Sequence, residues 1–101
     1  MQLPEDPLLR ELLPEFLQDW HREMPQILQA AQSHNDAELY RLGHTLKGSS
    51  LQFGLTGIAE VGIQLMECAR HRRWDEVPLL CERLAAMLQQ MHHMLRSTAG
   101  Q

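Results

Sequence analysis

The chain has 101 residues, 44% of them hydrophobic, and carries 9 lysines and arginines against 13 aspartates and glutamates for a formal charge of -4. That length fits a single domain (residues 1–101, core about 6–96, frayed tail 97–101), and the acidic balance shows no footprint of a nucleic-acid or anionic-membrane binder. Cys68 and Cys81 form no CxxC pair, which leaves a disulfide framework or zinc site without support. The N-terminus lacks the basic and apolar stretches of a signal peptide and no apolar run reaches membrane-spanning length, so a soluble, cytoplasmic, reduced protein is expected.

Five helical segments and no strands can be read in chain order. The first, residues 6–21, has Asp6 as N-cap, Pro7 at the first helical position and Leu9, Leu12, Leu13, Phe16 and Trp20 as its buried stripe, with Pro14 kinking or dividing it. A second, residues 22–33, carries Met24, Ile27, Leu28 and Ala31, tolerates Pro25 in its first turn and stops at the polar Ser33-His34-Asn35-Asp36. The third, residues 36–53, is capped by Asn35 with Glu38 as the partner of a capping box. Gly54 suits a left-handed closing residue, and the tight step to Leu55 and Thr56 opens a fourth helix that runs to residue 71 and forms an antiparallel hairpin with the third. Its inner stripe is Leu55, Ile58, Ala59, Gly62, Leu65, Met66 and Ala69, in which the small residues allow close approach. Arg70, Arg72 and Arg73 at its end suit the negative pole of the helix dipole. The last helix, residues 75–96, starts at Asp75 with Trp74 packed on Leu79 as a staple and Pro78 in the first turn. Its apolar face runs through Val77, Leu80, Cys81, Leu84, Met87, Leu88, Met91 and Leu95. Amphipathic segments joined by short loops predict an all-α, up-and-down bundle.

The run His44-Thr45-Leu46-Lys47-Gly48-Ser49-Ser50 concentrates chemistry on one helical face. Lys47 and Gly48 both lie one turn beyond His44, while the core stripe Leu39, Leu42, Leu46, Ser49 or Ser50, and Phe53 points elsewhere, with Leu46 roughly 200° round the axis. His44 is therefore expected at the surface, on a face shared with Tyr40, Arg41, Lys47, Gly48 and Leu51. An imidazole, an ammonium and a missing side chain on one face suit a phosphoryl group carried on histidine. Glycine in mid-helix costs about 1 kcal/mol relative to alanine, which close approach by a partner or phosphate would offset.

The segment HTLKGSS, followed by Phe53-Gly54-Leu55 and Ile58-Ala59, resembles the histidine-containing phosphotransfer (HPt) domain family of multistep two-component phosphorelays. The resemblance covers the third and fourth helices, roughly a third of the chain. It implies a four-helix bundle, here antiparallel and up-and-down with an additional short N-terminal helix. It also implies an exposed histidine that accepts a phosphoryl group from one receiver-domain aspartate and passes it to another. By position, His44 matches the phosphoacceptor, through Nε2, Lys47 the lysine beside the phosphoryl group, Gly48 the glycine that leaves it space, and Ser49 the small polar position next to them. Gly54 matches the hairpin glycine. Tyr40, Arg41 and Leu51 are then expected to contact partners. Where many members place an acidic or amide residue near the histidine, this chain has Met66, so the resemblance implies that a hydrogen bond supporting the imidazole is either missing or comes from elsewhere, such as Gln64 or Glu67.

A neutral imidazole is nucleophilic at physiological pH, and Lys47 can act as a point charge toward phosphoryl oxygens. The chain has neither GxxxxGK[ST] nor GxGxxG, and no carboxylate cluster near His44 for magnesium. It is expected to be a carrier rather than a kinase, with no cofactor or metal of its own and magnesium supplied by the partner receiver domain. The expected partners are response-regulator receivers and a hybrid sensor kinase, with the chain itself monomeric. The alternative function is a helical adaptor that binds a receiver or kinase through the His44 face without phosphotransfer. His21, His34, His71, His92 and His93 read as structural or incidental, and Cys68 with His71 supplies too few ligands for a metal site.

Overall fold

The Asp6 carboxylate accepts from the Leu8 backbone N–H at 2.9 Å and Pro7 occupies the next position, so the first helix starts where the sequence predicts. The computed structural model describes residues 2–99 and contains four α-helices: α1 (Pro7–Gln32), α2 (Asp36–Gln52), α3 (Thr56–His71) and α4 (Val77–Ala99), with a short 3-10 turn Trp74–Glu76 before the last. No strand occurs among the described residues. Each helix packs on the next and α4 returns to α1, so the short connections produce an up-and-down bundle 45 × 19 × 18 Å in extent.

The predicted division of the N-terminal region is corrected: residues 6–21 and 22–33 are one 26-residue helix, and no additional short N-terminal helix stands apart. Pro14 and Pro25 lie inside it, both exposed. They are eleven residues apart, within about 20° of the same direction on the helix, so both missing N–H groups fall on the outer side where solvent can satisfy the freed carbonyls. The buried stripe of α1 also shifts. Leu13, Phe16, Leu17 and Trp20 are buried, whereas Leu12 is 47% exposed.

Asn35 caps α2 through its side chain, which accepts from Glu38 N–H at 3.1 Å, but the Glu38 carboxylate turns to Arg41 instead of completing a capping box. α1, α2 and α3 all close in the same way. A left-handed residue follows the helix and the next N–H reaches back to an earlier carbonyl: Asn35 to Ala30, Leu55 to Ser50 and Arg73 to Cys68. Only the second of these uses glycine, Gly54 at φ 70; His34 and Arg72 each take φ 54. At the start of α4 the predicted staple is absent. Leu79 is 62% exposed, and Trp74 stacks on His34 with ring centroids 5.0 Å apart and planes 8° apart. Trp74 opens a 3-10 turn, Trp74–Glu76, and its indole packs on the α1–α2 connection through His34. α4 continues through Ser97 to Ala99, since nothing in that stretch breaks a helix; Gly100 and Gln101 of the predicted frayed tail lie outside the described residues.

The core runs the length of the rod, with Leu13, Ile27, Leu39, Leu46, Leu65 and Met91 fully buried. α2 and α3 approach most closely where two glycines face each other. A Cβ added at Gly43 would stand 2.7 Å from the Gly62 carbonyl oxygen, and one added at Gly62 would stand 2.7 Å from the Gly43 oxygen and from the Lys47 backbone nitrogen. Only hydrogen fits at either position, so the backbone of α3 lies directly beneath the turn of α2 that carries His44 and Lys47.

Candidate functional site

Leu39, Leu42, Leu46 and Ser50 anchor α2 on its buried side, and Ser50 Oγ donates to the Leu46 carbonyl at 2.6 Å, so this hydroxyl belongs to the core. That anchoring turns His44 outward, and the residue is exposed. Its ring lies beside that of Tyr40, with centroids 6.4 Å apart and planes 18° apart. Among the described residues neither imidazole nitrogen has a hydrogen-bond partner. Lys47 is half-buried, without an acidic partner among the described residues, and Gly48 is exposed, with nothing within 4 Å of where a Cβ would stand.

The predicted site residues thus divide. His44, Lys47, Gly48, Tyr40 and Leu51 share one outward face by helical spacing, and Leu51 is 50% exposed. Arg41 borders this face, but its guanidinium is engaged by the Glu38 carboxylate, with Nη2 to Oε1 at 2.5 Å and Nε to Oε2 at 3.1 Å. That bond holds the Glu38 carboxyl below the usual carboxylate range. Ser49 stands apart, about 140° round the axis from His44, in a shallow groove between α1 and α2 with Trp20, Leu42 and Thr45. Thr45 turns its hydroxyl back to the Arg41 carbonyl at 2.9 Å.

Neither residue expected to support the imidazole from α3 reaches it. Gln64 accepts from Arg83 on α4 at 3.2 Å, and Glu67 pairs with His71 at 3.1 Å and Arg70 at 3.5 Å. The three arginines at the end of α3 each face a carboxylate, Glu67, Asp36 and Glu76 in turn, so their charge is largely compensated. Sequence reasoning missed Gly43, whose role depends on which residue of α3 stands opposite. A mid-helix glycine in each of two neighbouring helices was the available signal. It also missed the contact of Arg70 with Tyr40, which joins residues thirty positions apart.

A family model of the Hpt domain matches residues 11–94, from the second turn of α1 into the last turns of α4. The chain belongs to the Hpt domain family. No curated protein and no solved structure matches it. Hpt domains serve histidine phosphotransfer in two-component relays, as phosphocarriers rather than kinases, with receiver domains as partners. No helix among the described residues of this Hpt domain is long and apolar enough to cross a membrane.

Proposed function

We propose that this Hpt domain is a phosphorelay intermediate in which His44 is the phosphoacceptor. Nε2 attacks the phosphorus of a receiver's aspartyl phosphate; the N–P bond forms as the bond to the aspartate oxygen breaks, and the carboxylate leaves. A second receiver takes the group by the reverse exchange. Lys47 lends a positive charge to the transferring oxygens, Gly48 leaves the approach open, and the magnesium comes with the receiver. Tyr40, Arg41 and Leu51 border the docking face, and Ser49 lies off it, in the groove between α1 and α2. A cytoplasmic setting suits the two free thiols.

The observation that carries this reading is an exposed imidazole with both nitrogens unengaged, one turn from a glycine whose outer space is empty, inside the stretch matched to the family. The test is incubation of native and His44→Gln protein with a phosphorylated receiver and magnesium, followed by acid treatment. Acid-labile label on the native protein alone is expected, because phosphohistidine is a phosphoramidate. Label retained by His44→Gln would overturn the site assignment, and no label from several receivers would favour a docking adaptor.

A further inference from the structure

We infer that Tyr40 is a positioning residue for His44, holding the imidazole plane by stacking where no hydrogen bond holds it; this rests on the phosphoacceptor reading above. Tyr40 precedes His44 by one turn, and their nearly parallel rings, 6.4 Å between centroids, form an offset stack. Tyr40 is itself pinned from α3. The Arg70 guanidinium carbon lies 5.7 Å from the Tyr40 ring centroid, and Arg70 Nη2 donates to the Tyr40 hydroxyl at 3.5 Å, the long end of the hydrogen-bond range. Arg70 is in turn paired with Glu67. A line of contacts therefore runs from Glu67 through Arg70 and Tyr40 to His44, ending on a ring pair and not on a hydrogen bond to the imidazole.

The distinction matters chemically. A hydrogen bond to the ring would occupy one nitrogen and fix the tautomer, whereas a stack occupies only the π face and leaves both in-plane lone-pair positions open. An exposed histidine without either restraint samples several rotamers. In-line attack on a docked aspartyl phosphate needs one ring orientation, so restricting the ring raises the fraction of productive encounters without altering the affinity for the receiver.

Two variants separate this role from docking. Tyr40→Phe keeps the ring and loses the hydroxyl; Tyr40→Leu loses both, with circular dichroism checking that the bundle is intact. In the free protein, the His44 ring protons are expected to show upfield ring-current shifts in wild type and Tyr40→Phe that vanish in Tyr40→Leu. With a receiver domain charged by acetyl phosphate and magnesium, single-turnover transfer to Tyr40→Leu is expected to fall about three- to tenfold at saturating receiver, the range such an aromatic pair supplies. The half-saturating concentration should change less than the saturating rate, and Tyr40→Phe, which keeps the ring but loses the Arg70 contact to its hydroxyl, should lose less of that rate than Tyr40→Leu. Unshifted ring protons in wild type would overturn the stack. A raised half-saturating concentration with an unchanged saturating rate would overturn the positioning role in favour of docking. A wild-type domain that accepts no phosphate from any receiver would overturn the relay reading and the transfer half of this inference, while the ring shifts decide the positioning half.

Discussion

Gly48 is the residue whose chemistry separates function from folding most cleanly. Glycine in an exposed helix interior costs stability through backbone entropy, and at Gly43 and Gly62 that cost is offset by close packing of α2 on α3. At Gly48 nothing inside the molecule offsets it, because an added methyl would meet no atom within 4 Å. Gly48→Ala is therefore expected to raise the folding stability by roughly 0.5–1 kcal/mol in a denaturant titration. On the proposed function the same methyl, one turn from His44, would stand where the phosphoryl group approaches, so uptake from a charged receiver should fall on the order of tenfold. A variant both more stable and fully active would remove the reason given for this glycine. His44, Lys47 and Gly48 were legible in the sequence because helical spacing alone puts them on one face. The stack on His44 was legible only in part: Tyr40 sits one turn away, but Arg70, which pins it, comes from another helix.

Among the elements, the α2–α3 hairpin fixes the site, and its closest point is the Gly43–Gly62 crossing. Lengthening Gly62 by one methyl drives it into the Lys47 backbone nitrogen at 2.7 Å and Cα at 3.1 Å. Backbone cannot swing aside as a long side chain does, so Gly62→Ala should cost about 1–3 kcal/mol by forcing the helices apart. It should also shift the amide resonances of Lys47 and His44 more than those of α4; unchanged stability would show that the two helices slide freely. The hairpin was readable because Gly54 supplies the left-handed residue its turn needs, whereas His34 and Arg72 adopt the same conformation without advertising it. α1 was misread as two helices because proline is a helix breaker in isolation. The sequence does not show that Pro14 and Pro25 both face outward, where a lost backbone bond is cheap. Leu12 was misassigned to the core for a related reason: a stripe of leucines wider than the contact leaves its edge exposed.

At the scale of the whole molecule, a rod 45 Å long and under 20 Å thick has little interior, and both thiols are part of it. Burial pushes the Cys81 thiol up to about 11 from an ordinary value of 9.0, and burial is also the main cause that raises Cys68. The consequence for stability has a definite sign. Below pH 9 both folded and unfolded chains hold these protons, and the thiols contribute no pH dependence. Between pH 9 and 11 the unfolded chain releases the Cys81 proton while the folded chain keeps it, so stability declines with rising pH across that window. The cysteine share is isolated by comparing slopes. Urea midpoints of wild type should fall more steeply from pH 9 to 10.5 than those of Cys81→Ala, whose cavity lowers all its midpoints together without tilting them. Removing Cys68 as well should flatten the slope further. Parallel slopes would mean that the thiol ionises as readily in the folded rod as in the open chain, and that the α4 face bearing Cys81 admits water.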